Sequence, residues 1–375
     1  MQAPPPHVPP APVERPNPPH EADDDAGGPS LDFTPRKIAV AIAFVLLAVV
    51  SLYFLLPRLA GLEETWHRIE DGSPGWLALA LVFAVGMFLG YAILFQIVYV
   101  AGGAQLTLRE SFQVTLAGLA ATRLFSTGGA GGIVLTAWAL RRAGMSRRAV
   151  ADRTIAFLVL TYLVYTLSIV IFGYGLRLGI FPGENPFGLT VVPATIALAV
   201  TVIGLSIGFV PTDIQRRLDS FAERGGRIGR LAQRLASAPA SASAGIRIAL
   251  GHIRAHDPAI LGAIGFWGFQ IACLWACFRA FGDAPPFGVL VLAFFLGQLG
   301  NLLPLPGGIG GVDGGLIGAY AAFGVDAGLA VVAVLVYRGF TFWLPTVPGI
   351  LAYIGLRKTV ERWRIEGRPA LSYTK

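Results

Sequence analysis

Residues 301–325, near the end of an apolar chain, cannot form one regular helix. Pro304 and Pro306 each remove a backbone donor. Four residues of low helix propensity follow: Gly307, Gly308, Gly310 and Gly311. The pattern predicts a helix over 287–303, a break, and a second helix that begins near Val312. Inside a bilayer, irregular backbone is tolerated only where protein or a water-filled cavity covers it, so the break predicts a polar site within the membrane.

Composition places the chain among multi-pass membrane proteins rather than soluble ones. Of its 375 residues, 54% are hydrophobic and only 14% are charged. The formal net charge is +7. In a membrane protein, positive residues mark cytoplasmic loops. We therefore attribute the positive charge to membrane orientation and expect no nucleic-acid partner.

A weaker copy of the glycine-rich segment occurs upstream. Residues 127–132 read TGGAGG and residues 306–311 read PGGIGG, and their glycines match at a constant offset of 179 residues. Paired glycine-interrupted apolar segments are typical of transporter binding sites. The spacing of Gly307, Gly311 and Gly315 is also typical of close helix packing, which remains an alternative.

The order of segments predicts three domains. Residues 1–34, with ten prolines in the first thirty, form a disordered tail. Residues 36–357 form the transmembrane domain, and residues 358–375 form a C-terminal tail. About six full spans are expected within the transmembrane domain, over 38–56, 76–100, 150–176, 189–210, 259–281 and 327–356.

The arginine distribution predicts the orientation of these spans. Basic residues cluster over 141–153, in the connector 211–257, and after residue 356. They place these segments, and both termini, on the cytoplasmic side of the cell membrane. The connector has eight arginines and helical spacing of its apolar residues, which favours amphipathic helices on anionic inner-leaflet lipids. A solvated cytoplasmic connector is the alternative.

The expected fold class is all-α: a polytopic helix bundle with two re-entrant hairpins, each of which enters and leaves the membrane on one side. The hairpins cover 111–140 and 287–323. Under the predicted orientation the first opens to the cytoplasm and the second to the outside. This is the inverted-repeat plan of alternating-access carriers.

Ionisable residues within the apolar segments are the candidates for binding. Arg123 and Arg338 could hold a lipid phosphate, with N–H groups donated by the restarting half-helices. Asp313 could bind a cationic headgroup, take a proton or pair with Arg338. A structural ion pair for Arg338 and a stabilising helix N-terminal acid for Asp313 are the alternatives. The expected substrate-binding residues are Arg123, Gly128, Gly129, Gly131, Gly132, Pro306, Gly307, Gly308, Gly310, Gly311, Asp313 and Arg338.

No catalytic residue, metal site or cofactor is expected. Cys273 and Cys277 lie one turn apart in an apolar helix and are interpreted as packing residues. His252 and His256 have the spacing of metal ligands, but only Asp257 adjoins them. TGGAGG lacks the lysine of a phosphate-binding loop, so an ATP-driven pump is not expected.

The PLPGGIGGVDGG segment, the upstream copy and the span layout resemble the flippase-like family that includes the transmembrane region of lysylphosphatidylglycerol synthases. The resemblance covers residues 36–360. The family segment reads PxPGGxGxxE, and Asp313 stands where glutamate is usual. In the upstream copy Thr127 stands near the usual proline, and Val134 stands opposite Asp313, where no acidic group is present.

The resemblance implies an integral membrane protein of lipid handling, a stand-alone member without the soluble synthase domain. We expect a flippase or transporter that moves a charged phospholipid or glycolipid between leaflets, with no enzymatic activity of its own. Two alternatives are a membrane glycosyltransferase, or its accessory subunit, acting with a polyprenyl-phosphate lipid, and a non-catalytic scaffold. A lipid-modifying enzyme is an expected partner.

Overall fold

The computed structural model describes residues 72–101, 103–104, 106–125, 130–209, 227–303 and 308–365. These residues fold almost entirely into helices, which confirms the predicted all-α membrane bundle. The first predicted span and the TGG part of the upstream glycine segment lie outside the described residues. The helices are α1 Pro74–Phe95, α2 Leu108–Phe125, α3 Ala130–Arg142, α4 Arg147–Arg177, α5 Phe187–Ser206, α6 Arg227–Arg254, α7 Pro258–Phe281, α8 Phe287–Gln298, α9 Gly311–Ala322, α10 Ala327–Arg338 and α11 Leu344–Ile365.

Short irregular turns extend several of these helices. The π-helical turns Gln96–Val100 and Gly339–Trp343 follow α1 and α10. Tight 3-10 turns follow α5 and α8, over Ile207–Phe209 and Leu299–Leu302. The second π turn joins α10 to α11, so this last helix runs on past the predicted end at 356.

Local capping sets where three of the long helices begin. The side chains of Ser146, Asp257 and Asp326 accept hydrogen bonds from backbone N–H groups in the first turns of α4, α7 and α10. Each cap satisfies a donor that has no partner within the helix. Gly144 and Gly324 have φ of 94° and 79° in the turns just before two of these caps, a conformation that favours glycine.

Five stretches of the described chain are long and apolar enough to cross a membrane. They are Pro74–Val100, Arg147–Arg177, Phe187–Phe209, Pro258–Phe281 and Ala327–Trp363. Their apolar side chains remain exposed over much of their surface, as lipid contact requires: in α5, Ile196 and Val202 are both exposed.

The buried side chains form two apolar clusters at opposite ends of the bundle. Helices α1, α4 and α7 run through both, with Ala84, Ile169 and Leu274 in one and Leu94, Phe157 and Ala263 in the other. We call the end with the α1 N-terminus the first end and the end with the α1 C-terminus the second end. The long helices therefore define a common axis.

Helices α1 and α7 pack closely and run antiparallel. Near one end of the pair the Ser73 N–H donates to the Ala280 carbonyl at 2.9 Å. Near the other, a Cβ added at Gly90 would lie 2.6 Å from Phe266 N, and one at Gly262 would lie 2.8 Å from Leu94 N. Only glycine permits the two backbones to approach so closely.

Four shorter helices, α2 with α3 and α8 with α9, form two hairpins at opposite ends of the bundle. Buried residues of α8 and α9, such as Phe294 and Leu316, belong to the first-end cluster. Those of α2 and α3, such as Val114 and Leu135, belong to the second-end cluster. Helices α8 and α9 have 12 residues each, about 18 Å, whereas a hydrocarbon core is about 30 Å thick.

The helix predicted over 287–303 is observed, with a change of geometry in its last turn. Its α-helical part ends at Gln298 and tightens into the 3-10 turn Leu299–Leu302.

The connector 211–257 contains the single long helix α6 in its described part. The C-terminal half of α6 packs on α4: a Cβ at Gly245 would lie 2.6 Å from the Asp152 carbonyl oxygen.

Candidate functional site

The break between α8 and α9 depends on glycine for two physical reasons. Gly308 and Gly310 have φ of 67° and 81°, a backbone conformation that residues other than glycine rarely adopt. A Cβ at Gly308 would also overlap the Asn301 side-chain oxygen, and one at Gly300 would overlap the Gly311 carbonyl. The two short helices can therefore end and restart in contact with each other.

Asp313 closes the start of α9. Its Oδ2 accepts a hydrogen bond from the Gly310 N–H at 2.7 Å, at the third position of the helix. A carboxylate here satisfies one unpaired donor and lies at the positive end of the helix dipole. Asp313 is nevertheless only 2% exposed, so its charge requires a further partner.

Arg338 supplies that partner from α10. Its Nε donates to Asp313 Oδ1 at 2.7 Å, and the two side chains are 11% and 3% exposed. The guanidinium carbon also lies 4.3 Å from the centre of the Phe342 ring, which belongs to the π turn that follows. The pair joins the break in the second hairpin to the π turn Gly339–Trp343 in the last long helix.

Tyrosine hydroxyls anchor the helices around this pair. Tyr165 on α4 donates to the Phe295 carbonyl at 2.6 Å, and Tyr320 on α9 donates to the Leu290 carbonyl at 2.8 Å. Tyr337, which precedes Arg338, donates to Gln270 Oε1 on α7 at 3.0 Å. Each buried hydroxyl thus has an acceptor on a neighbouring helix, as buried polar groups require.

The last long helix lies beside both hairpins. Before the π turn it is held to α9 by the Asp313–Arg338 pair. After the turn it lies against α2, where a Cβ at Gly349 would be 2.9 Å from Ala120 Cβ. The second hairpin therefore contacts the last long helix before the π turn, and the first hairpin contacts it after the turn.

The structure brings together some of the predicted binding residues. Gly308, Gly310, Gly311, Asp313 and Arg338 form one group at the break of the second hairpin. Of the three roles predicted for Asp313, the structure has the pairing with Arg338. The guanidinium of Arg338 is accordingly engaged with a carboxylate in this state.

The first-hairpin residues lie elsewhere or outside the described part. Gly131 and Gly132 begin α3, where a Cβ at Gly132 would lie 2.6 Å from the Gly118 carbonyl oxygen. Arg123 lies in α2, and its side chain is outside the described residues. Four predicted site residues are also outside them: Gly128, Gly129, Pro306 and Gly307.

Sequence reasoning missed a second buried acidic residue. Glu110 is 7% exposed, accepts hydrogen bonds from Thr107 N and Oγ1 through Oε2, and accepts one from Trp363 Nε1 at 2.8 Å through Oε1. The signal was present, since Thr107-x-x-Glu110 before an apolar run is a capping box. The bond to Trp363, 253 residues away, had no signal in the sequence.

A surface cavity of about 570 Å³ opens at the first end. Its lining includes Glu184, Asp283, Asp326, Val289 and Phe323. Asp283 pairs with Arg279 at 3.0 Å, and Asp326 caps α10. The cavity is separate from the ion pair, because Phe323 lies ten residues beyond Asp313, about 15 Å along α9.

Within the described ranges, no three His, Cys, Asp or Glu side chains are placed to hold a metal ion. His252 Nδ1 lies 2.9 Å from Asp257 Oδ2, and Asp257 Oδ1 caps α7. Cys273 and Cys277 are buried free thiols.

The comparison with known proteins agrees with this architecture. A UPF0104 membrane protein of Methanothermobacter thermautotrophicus is 23% identical over 341 residues, which cover 85% of this chain and 94% of the relative. Two shorter matches, also to UPF0104 membrane proteins of that organism, are 32% identical over 116 residues and 34% identical over 87 residues. They cover 29% and 23% of this chain and 35% and 26% of the relatives. The model of the lysylphosphatidylglycerol synthase transmembrane region matches residues 38–349, well over half of the chain, and the protein therefore belongs to that family of integral membrane proteins.

Proposed function

We propose that this membrane protein translocates a charged phospholipid or glycolipid between the two leaflets. The observation that carries the proposal is the buried ion pair of Asp313 and Arg338 at a helix break. Charged side chains in an apolar membrane bundle are costly and are usually retained for a function. A broken helix beside such a pair is the arrangement that carriers use to bind a charged group.

The arrangement of the two hairpins is consistent with a site that opens alternately to the two sides of the membrane. We propose that both are re-entrant and that they open to opposite sides of the membrane. In support, their buried residues lie in clusters at opposite ends of the bundle, and α8 and α9 are each too short to cross a hydrocarbon core.

The packing of equivalent residues supports an inverted repeat. Gly118 and Gly297 are 179 residues apart, as are Gly132 and Gly311, which matches the offset of the glycine segments. Gly118 and Gly297 both lie where the helices of their hairpins make contact. Helices α1 and α7 each precede a hairpin and run antiparallel, as equivalent helices of an inverted repeat would.

Charge supports an orientation with the second end of the bundle in the cytoplasm. Exposed basic residues there include Arg147, Arg148, Arg357, Lys358 and Arg362. Exposed acidic residues at the first end include Glu184, Asp283 and Asp326. From this orientation together with the predicted span over 38–56, we propose that both termini lie on the cytoplasmic side of the cell membrane and that the connector 211–257 lies against anionic inner-leaflet lipids.

The family supports a lipid as the transported molecule. Its description names a synthase of lysylphosphatidylglycerol, a charged phospholipid, and the matched segment is the membrane part of that protein. A lipid-modifying enzyme that supplies the substrate is a natural partner on this basis.

Reconstitution tests the proposal directly. Purified protein in proteoliposomes with fluorescent phospholipids should make inner-leaflet lipid accessible to an external membrane-impermeant quencher, and protein-free vesicles should not. Arg338→Ala should lose most of this transfer, whereas Arg279→Ala, at an exposed pair, should keep it.

Folding must be measured in the same samples. Arg338→Lys keeps the positive charge without the planar guanidinium and should retain part of the transfer. A folded Arg338→Ala protein that transfers lipid at the wild-type rate would contradict a role for the pair. Absence of transfer by the wild-type protein with every lipid tested would contradict translocation itself.

A further inference from the structure

The ion pair at the second hairpin has no net charge, and each of its members is hydrogen-bonded. Arg338 Nε bonds Asp313 Oδ1, while Asp313 Oδ2 bonds the Gly310 N–H, both at 2.7 Å. The Phe342 ring lies against the guanidinium. Any ligand that separates the pair must supply a new counter-charge to both Asp313 and Arg338.

A ligand with one charge cannot do this. An anion that displaced Asp313 from Arg338 Nε would leave a buried carboxylate with only the Gly310 N–H. A cation that displaced Arg338 from Asp313 would take away the carboxylate that faces the buried guanidinium. Removing one partner of a buried pair is strongly unfavourable because the remaining charge is desolvated and uncompensated.

We propose that the pair opens onto a zwitterionic phospholipid headgroup, whose phosphate binds Arg338 and whose ammonium binds Asp313. This inference rests on the proposed lipid translocation and specifies its substrate class. The exchange keeps each buried charge paired and the site neutral. It also reuses the geometry at hand: a guanidinium fork matches phosphate oxygens, and Oδ1 becomes free for the ammonium while Oδ2 stays on Gly310.

Two features beside the pair are consistent with such an opening. The π turn Gly339–Trp343 directly follows Arg338, and π turns within helices occur frequently at functional sites. The tip of the hairpin carries exposed apolar side chains, with Leu302 81% and Leu303 53% exposed. Lipid can therefore contact the tip of the hairpin that carries Asp313.

The test compares headgroups in one proteoliposome assay. The probes are tail-labelled phosphatidylethanolamine, which is zwitterionic, phosphatidylglycerol, which is anionic, and an ammonium lipid without phosphate. The wild-type protein should transfer phosphatidylethanolamine at least tenfold faster than either singly charged lipid. Equal rates for all three would overturn the inference and leave translocation intact. Transfer of none of them would overturn both.

Single-charge variants sharpen the test, because a merely structural pair would not change selectivity. Asp313→Asn should shift the preference toward phosphatidylglycerol, and Arg338→Gln should shift it toward the ammonium lipid. Asp313→Glu and Arg338→Lys keep the charges and should keep the zwitterionic preference. If folded Asp313→Asn and Arg338→Gln lower the transfer of all three lipids in equal proportion, the headgroup assignment is wrong.

Discussion

Asp313 and Arg338 form an ion pair although they lie 25 residues apart in sequence. One belongs to the second hairpin and the other to the last long helix. The carboxylate is placed by the first turn of α9, and the guanidinium by the last turn of α10. Neither residue could be buried alone, since a buried charge requires both a counter-ion and hydrogen bonds. Stability at this site is therefore a property of the pair rather than of either residue.

A double-mutant cycle should show this coupling. Asp313→Ala and Arg338→Ala should each lower the free energy of unfolding by about 3–5 kcal/mol, because each removes one partner of a buried ion pair. The double variant should lose clearly less than the two single losses together. Equilibrium unfolding of the detergent-solubilised protein measures the four values.

The exposed pair of Arg279 and Asp283 provides the matched control for this cycle. Its bond is 3.0 Å long, but the side chains are 40% and 99% exposed. Exposed pairs are screened by solvent, so Asp283→Ala should not change stability measurably. Arg279→Ala also removes a cation–π contact with Trp76, whose ring centre lies 5.6 Å from the guanidinium carbon, and should cost at most about 1 kcal/mol. Additive losses at Asp313 and Arg338 would mean that the two charges are not coupled.

Asp257 gives a pH-dependent prediction outside the spans. Partial burial raises the pKa of this carboxyl, but the hydrogen bonds from Ala259 N–H and His252 outweigh it, so the pKa lies below the ordinary value of 3.8 for an aspartate. A lowered folded-state pKa contributes stability that is present above the unfolded pKa and lost as pH falls through the folded one. The stability difference between wild type and Asp257→Asn should thus be full above about pH 5 and shrink below about pH 4.

Asp257→Ala separates the cap from the charge. It should cost about 1 kcal/mol more than a neutral surface change, because it removes the acceptor for the first turn of α7. Thermal unfolding at several pH values measures both variants. A stability difference between wild type and Asp257→Asn that does not vary with pH would contradict the assigned role of the charge.

At the scale of single elements, the second hairpin shows what its glycines do. The α8 and α9 backbones touch where Gly297 and Gly315 face each other, and a Cβ at Gly297 would lie 2.6 Å from Leu316 Cα. The sequence left two interpretations open, a broken binding element and a glycine packing motif. The structure has both features in one element, because the helices that pack through glycine are also the ones that stop at the break.

Adjacent glycines of α9 make a sharp comparison. Gly315→Ala should destabilise the protein by about 1–3 kcal/mol, since its Cβ would overlap the Gly297 carbonyl. Gly314→Ala meets nothing within 4 Å and should be neutral or stabilise the helix by up to about 1 kcal/mol. Unfolding measurements compare the two, and an equal effect of both would exclude close packing at Gly315.

Helix positions and the break after α8 were predictable from the sequence to within a few residues, and the π turns were not. The observed starts of α4 and α7, at Arg147 and Pro258, lie near the predicted 150 and 259 because hydropathy and capping residues mark them. The π turn after Arg338 has no comparable mark, since it depends on tertiary contacts. Phe342 was consequently missed as a neighbour of Arg338.

At the scale of the whole molecule, the two ends of the bundle differ in charge, and this gives a direct test of the inverted arrangement. In a Cys273→Ala, Cys277→Ala background, single cysteines at the exposed positions Arg148 and Glu184 should label from opposite sides of the membrane. Asp326→Cys should label from the same side as Glu184→Cys. Membrane-impermeant thiol reagents on intact cells and inverted vesicles make the measurement.

These sites adjoin the hairpins without straining them. Arg148 begins the helix after the first hairpin, and Asp326 follows the second. Gly144 and Gly324 are less suitable, because their positive φ values disfavour cysteine. Labelling of Arg148→Cys and Asp326→Cys from one common side would show that the hairpins open in the same direction.

The neutrality of the Asp313–Arg338 pair has a consequence for how a membrane voltage acts on this protein. A lone charge that crosses the whole field exchanges about 2.3 kcal/mol per 100 mV with it. While the pair stays closed, the second hairpin and the last helix can shift together and carry no gating charge. Electrical work arises only in a state that parts the carboxylate from the guanidinium.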